Sequence, residues 1–236
     1  QIITQLDHYF FDFVINNWNI WGPVLLFHKH ALEVSADDTG KAFEVLEYYC
    51  GTVDVTTEHI VNMTEMFTDS YFLFGVTKYI DDYHLRHSSK PIYQYINTHH
   101  NEKNQDILKG INQRPIPILG EPFPTSSIVP KTAGVSHADE LFLQWSPLVF
   151  VPFGSGIYPA YHSHIFTDNF SGNDSITSLH ITTLWSDFIK TGNPGGVWNP
   201  VDSDNKMFLN LNKEPRMEAR DSRYDDKMVF WRSIGY

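Results

Sequence analysis

The fold of this chain is indicated most clearly by one stretch, GVSHADEL, at Gly134–Leu141. Small residues lead up to His137, and Asp139 and Glu140 then open an apolar segment. Because acidic side chains favour the first turn of a helix, the pattern predicts that the histidine lies on a loop just before a helix. Such a histidine can reach into a cleft and transfer protons near neutral pH. The spacing alone favours the alternative, a capping loop with an incidental histidine.

Further motifs stand in a fixed order around this stretch. KPIYQY at Lys90–Tyr95 precedes it, FIKTGNP at Phe188–Pro194 and WNP at Trp198–Pro200 follow it, and MVFW lies near the end of the chain at Met228–Trp231. Together they resemble the type-B carboxylesterase/lipase family, and most of all its insect esterase members. The resemblance spans the chain from about Met63 onward. It covers only the C-terminal part of such an enzyme, since family members are roughly twice this length or more.

The resemblance implies an α/β fold, namely the C-terminal portion of an α/β-hydrolase with a mainly parallel central sheet and covering helices. Residues 1–236 would be the C-terminal part of one carboxylesterase-like domain, and a missing N-terminal part would complete the sheet. His137 would be the general base of a catalytic triad. The nucleophilic serine, the acid and the oxyanion-hole glycines would lie upstream, so this chain alone would not hydrolyse an ester.

A nucleophile within the chain is the alternative for the same stretch. In α/β-hydrolases the serine lies on a Gly-x-Ser-x-Gly turn after a buried strand. The nearest approach here is Gly134–Ala138, which contains Ser136, but Lys131–Ala133 before it is polar. The triad acid is not assigned either, because Asp7 and Asp12 lack the Glu-Gly setting that the family uses.

Two functional classes follow from these observations. The first is a carboxylic-ester hydrolase that forms a serine acyl-enzyme and acts on apolar esters such as juvenile-hormone-like esters, pheromone esters, lipids or xenobiotics. The second is a catalytically inactive esterase-like protein with a binding, adhesion or storage role. The intact His137 favours the first class. The upstream sequence would distinguish them, since a hydrolase needs the serine and the acid.

Composition places the chain among globular proteins. Its 236 residues are 42% hydrophobic and 15% aromatic, which is too apolar for a disordered chain. The formal charge of -11 argues against nucleic acid or an anionic membrane as a partner. No apolar run reaches the length of a membrane span. The chain begins at Gln1 without an initiator methionine or a signal peptide, so we expect a processed piece or a fragment.

Three Asn-x-Ser/Thr sequons begin at Asn62, Asn169 and Asn173. Two of them share a short polar tract, where a glycan is tolerated. With the habit of the family, they favour a secreted glycoprotein. The single cysteine, Cys50, is interpreted as a buried free thiol or as a partner for a cysteine on the N-terminal part.

Histidine is frequent enough to raise a metal hypothesis, with twelve residues in the chain. Three close pairs stand out: His28 with His30, His99 with His100, and His162 with His164. No pair has a third ligand at a recognisable spacing, whereas a zinc site needs three or four protein ligands. Solvated loops explain the pairs better, and we expect neither a metal nor another cofactor.

Periodicity and turn signals predict the remaining elements. Near the N-terminus we expect two helical pieces over Ile2–Leu26 broken at Gly22-Pro23, a turn at Asp37–Gly40 before a helix over Lys41–Tyr49, and a long helix over Glu58–Tyr83. Further along we expect a buried strand over Lys90–Asn97, an irregular segment over His99–Lys131, a short helix within Leu141–Phe153, a surface loop over Tyr158–Asn173, an amphipathic helix from Ile176 ended by Gly192, a strand over Met207–Leu211 and a helix from Tyr224.

Overall fold

The computed structural model describes residues 8–100, 135, 140–144, 172–204 and 206–235. These residues form two compact units. Residues 8–89 and 221–235 make the first, which we call the helical unit. The described residues between 90 and 220 make the second, which we call the sheet unit.

The described α-helices are, in chain order, α1 His8–Asn16, α2 Trp18–Phe27, α3 Ala36–Cys50, α4 Ile60–Thr68, α5 Phe74–Lys78, α6 Leu85–His87, α7 Leu141–Gln144, α8 Gly172–Thr191 and α9 Ser222–Ser233. Short 3-10 turns occupy Ala31–Glu33 and Thr57–His59. Two π-helical segments, Asp69–Leu73 and Tyr79–His84, join α4 to α5 and α5 to α6. The predicted long helix is therefore confirmed as continuous helical backbone, and it runs on to residue 87.

Helices α2 and α3 cross at very short range in the helical unit. A Cβ atom on Gly22 would lie 2.8 Å from the ring of Trp18 and 2.9 Å from the Cβ of Ala42. The indole Nε1 of Trp18 donates to the backbone oxygen of Ala42 at 3.0 Å. Only glycine fits this crossing, because any side chain would push the two helices apart.

The predicted helix break at Gly22-Pro23 is wrong. Helix α2 continues through Pro23, and the break between the two helices lies at Asn17 instead. Proline has no N–H to donate to the carbonyl four residues earlier, which belongs to Asn19. The hydroxyl of Thr39 on α3 donates to that carbonyl at 2.8 Å. A tertiary contact thus satisfies the group that proline leaves without an intrahelical partner.

The predicted turn at Asp37–Gly40 is also wrong, because these residues form the first turns of α3. Ser35 caps the helix: its hydroxyl accepts from the backbone N–H of Asp38 at 3.1 Å, and the carboxylate of Asp38 accepts from the N–H of Ser35 at 3.0 Å. Hydrogen bonds from Ser35 lower the pKa of Asp38 to about 2. The reciprocal cap outweighs the turn preference of the Asp-Asp-Thr-Gly sequence.

A buried polar network joins the last helix, α9, to the rest of the helical unit. The hydroxyl of Tyr49 donates to the carboxylate of Asp69 at 2.8 Å, and Lys227 reaches the same carboxylate at 2.8 Å. The indole of Trp231 donates to the Tyr49 hydroxyl at 2.9 Å. Burial raises the pKa of Asp69 although both neighbours donate to it. Helix α9 begins two residues before the predicted Tyr224, where the carboxylate of Asp221 accepts from the N–H of Tyr224.

The described part of the sheet unit contains three strands in the order β1-β2-β3: β1 Tyr95–Asn97, β2 Met207–Leu211 and β3 Arg216–Ala219. Strand β1 runs parallel to β2 with Tyr95 opposite Leu209, and β2 runs antiparallel to β3 with Leu209 opposite Met217. The prediction of β2 is confirmed. Strand β1 is shorter than predicted and only half-buried. Strand β3 was not predicted: its sequence, RMEA, alternates charged and apolar residues, but over four residues only.

Helix α8 packs over the core of the sheet unit. This core consists of Leu143, Ile181, Leu184, Trp198, Leu209 and Leu211. The helix ends as predicted at Gly192, whose φ is +74° and whose N–H donates to the oxygen of Phe188 at 2.8 Å. It begins earlier than predicted, so Gly172 and Asn173 belong to the helix rather than to a surface loop.

Several predicted segments lie outside the described residues. They are the part of the irregular segment after His100, the chain from residue 145 to Phe153, and Tyr158–Ser171. Among the helices that the structure does describe, none is both long enough and apolar enough to cross a membrane.

The crossing of α2 and α3 gives a paired stability test in the full-length protein. We expect Gly22→Ala to destabilise by about 1–3 kcal/mol, because the new methyl group overlaps Trp18 and Ala42. Gly40→Ala in α3 is the matched control: a Cβ there meets nothing within 4 Å, and alanine should stabilise by about 1 kcal/mol. Urea unfolding measures both changes. Equal effects of the two substitutions would contradict the close crossing.

Candidate functional site

Residues 140–144 are held within the sheet unit, whereas residues 136–139, which include Ser136 and His137, lie outside the described residues. Helix α7 begins at Leu141, one residue after Glu140, so the prediction that Glu140 lies in its first turn is wrong. Asp139 lies outside the described residues. The backbone oxygen of Glu140 accepts from the N–H groups of Leu143 and Gln144 at 3.0 and 3.1 Å. The placement of the histidine on a loop stays a prediction.

Three contacts hold this short segment. The hydroxyl of Tyr95 on β1 donates to Oε1 of Glu140 at 3.1 Å. The side chain of Leu143 is 1% exposed within the core of the sheet unit. The hydroxyl of Ser178 on α8 donates to the backbone oxygen of Leu143 at 2.6 Å. A strand, a core and a helix therefore each contact the chain within six residues of the histidine.

The ring of Tyr95 is held in an aromatic cluster. It packs edge-on to Trp185, with 5.0 Å between ring centroids, and to Trp198 at 5.8 Å. Burial raises the pKa of Tyr95, and the neighbouring carboxylate of Glu140 raises it further. The hydroxyl therefore keeps its proton at neutral pH and acts as a donor to Glu140.

A second polar cluster lies just beyond the carboxyl end of β1. Nε2 of His99 is 2.7 Å from Oδ1 of Asp174, and Nδ1 of the same ring is 3.1 Å from the hydroxyl of Thr177. Asp174 and Thr177 are three residues apart on α8 and so share one face of the helix. A carboxylate oxygen accepts, so Nε2–H donates to Asp174, and in the neutral ring Nδ1 accepts from the Thr177 hydroxyl.

This cluster combines a hydroxyl, an imidazole and a carboxylate, as a catalytic triad does, but it is closed to substrate. Thr177 is 0% exposed, His99 is 7% exposed and Asp174 is 5% exposed. A nucleophile must reach a substrate carbonyl, so the arrangement serves to tie the end of β1 to the first turns of α8. The assignment of His99 to a solvated loop is therefore wrong. Sequence offered one weak signal, the i, i+3 spacing of Asp174 and Thr177.

The other described histidine pair matches the solvated-loop interpretation. His28 and His30 are exposed; His28 stacks on Tyr71 with 5.4 Å between ring centroids, and the ring of His30 accepts from the N–H of Leu32. His162 and His164 lie outside the described residues. Across the described part of the chain, no group of three or more His, Cys, Asp or Glu side chains is placed to hold a metal ion.

The described sequon asparagines are both at the surface. Asn62 is exposed on α4 and donates through its amide to the backbone oxygen of Tyr49 at 2.8 Å. Asn173 is exposed at the start of α8. Asn169 lies outside the described residues. The surface positions are compatible with glycans, whose presence stays a prediction.

The remaining candidates have plain surroundings. Cys50 is half-buried against the core of the helical unit, where burial raises the pKa of its thiol to about 11. A thiol of this kind is not an activated nucleophile. Asp12 is exposed on α1, and Asp7 lies outside the described residues.

The profile of one family, described as the Carboxylesterase family, matches residues 24–231. This range includes every motif from which the resemblance was inferred, and it covers most of the chain. The chain belongs to the carboxylesterase family.

Sequence relatives in this family carry two kinds of name. Neuroligin-2 of Homo sapiens is 30% identical over 121 residues, which make up 43% of this chain and 13% of that protein. Esterase P of Drosophila melanogaster is 28% identical over 85 residues, which make up 36% of this chain and 15% of that protein. The match thus spans only a small part of the length of these two relatives.

A solved structure gives the fold. The crystal structure of juvenile hormone esterase from Manduca sexta, with OTFP covalently attached, matches 94% of this chain and 36% of that chain with a TM-score of 0.59. At 16% sequence identity this likeness concerns the fold alone. This carboxylesterase family member is thus a portion of an esterase α/β-hydrolase fold, as predicted. Its described residues form a small sheet and many helices.

The His99 cluster yields a stability prediction for this family member. We expect Asp174→Asn to destabilise the full-length protein by about 1–3 kcal/mol, because a charge-assisted, buried hydrogen bond to His99 is weakened. Asp187→Asn on the same helix is the matched control, since Asp187 lies outside this cluster and the change should stay within about 0.5 kcal/mol. Chemical denaturation measures both. A loss for Asp174→Asn no larger than the loss for the control would contradict the role of the cluster.

Proposed function

We propose that this chain is part of a carboxylic-ester hydrolase with a serine acyl-enzyme mechanism, in which His137 is the general base. The observation that carries the proposal is the match of the carboxylesterase family to residues 24–231, since this range includes GVSHADEL with its histidine intact. The anchored segment after Glu140 supports it, because a catalytic side chain works best beside a rigid element.

His137 carries the proton through two steps in this proposal. It takes the proton from the serine hydroxyl as the serine oxygen attacks the ester carbonyl carbon, and it then gives that proton to the departing alkoxide, which leaves as the alcohol. In the second step it takes a proton from water, whose oxygen attacks the acyl carbon. It returns that proton to the serine oxygen, so that the carboxylic acid leaves and the enzyme is restored.

The serine, the acid and the oxyanion-hole donors come from an N-terminal part, on the same polypeptide or on a separate chain. Residues 1–236 then form the C-terminal part of one α/β-hydrolase domain. The partial coverage supports this arrangement, since the matched structure is much longer than this chain and 94% of this chain aligns with 36% of it.

The substrate in this proposal is an apolar ester. The high aromatic content, 15% of the chain, supports a pocket with apolar walls, and the juvenile hormone esterase with the matching fold supports an ester of that kind.

A catalytically inactive protein with a binding, adhesion or storage role is the second candidate. Neuroligin-2, whose name states no esterase activity, is the observation that favours it. The upstream sequence separates the two candidates: a Gly-x-Ser-x-Gly motif with a Glu-Gly acid loop belongs to the hydrolase, and replacement of the serine belongs to the binding protein.

The hydrolase proposal predicts the behaviour of His137→Ala in the full-length protein. Ester turnover should fall on the order of 10⁴-fold or more, because triad members act as a unit, while the unfolding midpoint stays unchanged. Turnover is measured with 4-nitrophenyl esters of increasing chain length. His30→Ala, which removes an exposed histidine, is the control and should retain wild-type turnover. An active His137→Ala protein would sink the assignment.

We further propose that the protein is a secreted glycoprotein like the insect esterases it resembles. Asn62 and Asn173 support this, because both sequon asparagines are exposed. Asn169 completes the set that the sequence offers.

The exposed Ser175 allows a clean test of the sequon at Asn173. After expression through a secretory pathway, mass spectrometry should find a glycan on Asn173 in the wild type and in Ser175→Thr, which keeps the sequon. Ser175→Ala should lose that glycan, since the acceptor motif is broken. A protein without a glycan on Asn62, Asn169 or Asn173 would contradict the proposal.

A further inference from the structure

We infer that Tyr95 and Ser178 are positioning residues for the catalytic histidine, an inference that rests on the proposed function. Neither residue belongs to the motif that carries the histidine. Tyr95 lies on β1 and Ser178 lies on α8, yet both donate hydrogen bonds to the segment that begins three residues after His137.

The two hydroxyls hold different kinds of group on that segment. Tyr95 holds the side chain of Glu140 at 3.1 Å, and Ser178 holds the backbone oxygen of Leu143 at 2.6 Å. Glu140 in turn provides the carbonyl from which α7 starts. Hydrogen bonds from β1 and α8 thus hold both the side chain of Glu140 and the backbone of α7. Together they fix the backbone position of Glu140.

Tyr95 is suited to this task because it cannot easily move. Its ring packs edge-on to Trp185 and Trp198, and its strand pairs with β2. The Tyr95 hydroxyl is therefore already in place to donate, so that little side-chain entropy is lost when it forms the hydrogen bond to Glu140.

A fixed Glu140 restricts the histidine through the covalent chain. Three residues span at most about 11 Å when extended, so an anchor at Glu140 limits the positions that the imidazole reaches. Displacement of a catalytic group by about 1 Å can cost a hundredfold in rate. Loss of the anchor should therefore slow the chemical steps and leave the binding of substrate intact.

The test compares Tyr95→Phe with Tyr93→Phe in the full-length protein. Both substitutions remove one hydroxyl from β1 or its approach, and Tyr93 packs against Phe188 and Trp198 much as Tyr95 packs against its neighbours. Rates with 4-nitrophenyl acetate are divided by the number of active sites, titrated to completion with a fluorophosphonate. We expect Tyr95→Phe to lower kcat by roughly ten- to hundredfold with KM unchanged, and Tyr93→Phe to change neither.

Ser178 supplies a second, independent comparison. Ser178→Ala removes the donor to Leu143 and should lower kcat in the same way, whereas Ser178→Thr keeps a hydroxyl and should restore most of it. A kcat for Tyr95→Phe and Ser178→Ala equal to that of the wild type would overturn the inference. A change in KM alone would overturn it as well.

Failure of the proposed function gives a different result. In that case the wild type neither turns over 4-nitrophenyl acetate nor reacts with the fluorophosphonate. The hydrogen bond from Tyr95 to Glu140 is then tested by amide hydrogen exchange of the peptide that covers residues 135–144. Faster exchange in Tyr95→Phe than in Tyr93→Phe would support the anchor. Equal exchange in the two variants would overturn it.

Discussion

The parallel pairing of β1 with β2 is the constraint on which the sheet unit depends. Its three residue pairs, Tyr95–Asn97 with Leu209–Leu211, are extended on both sides by backbone bonds from Leu209 to Gln94 and from Thr98 to Leu211. The pairing fixes where Tyr95 can reach Glu140 and where His99 can meet Asp174. Because parallel strands need a long connection between them, the residues that make these contacts come from distant parts of the sequence.

The helical unit follows a related principle, in which polar groups without a partner on their own helix meet one on another element. The freed carbonyl of Asn19 meets Thr39, and the carboxylate of Asp69 meets both Tyr49 and Lys227. A buried polar atom without a partner costs about 1–3 kcal/mol, which is a large share of a protein's net stability. The two donors to Asp69 therefore explain why a carboxylate is tolerated in a helical core.

The buried cluster around His99 uses the residue types of a catalytic triad for architecture. His99, Asp174 and Thr177 have the chemistry of a triad but no access to substrate, and they tie a strand to a helix. His137 stands in the motif of the carboxylesterase family, to which the chain belongs. Residue type alone could not show that His99 is buried, since sequence carries no direct record of exposure.

Local chemistry was enough to predict several elements. The glycine end of α8, the strand Met207–Leu211, the long helix after Glu58 and the family itself follow from short-range patterns that tertiary contacts do not override. Tertiary structure alone decided the path of α2 through Pro23, where Thr39 replaces a missing partner, and the buried state of His99. It also decided the anchor on Glu140. The physical reason is that each of these depends on a hydrogen bond between residues far apart in sequence, which the local preferences from which a sequence is interpreted do not record.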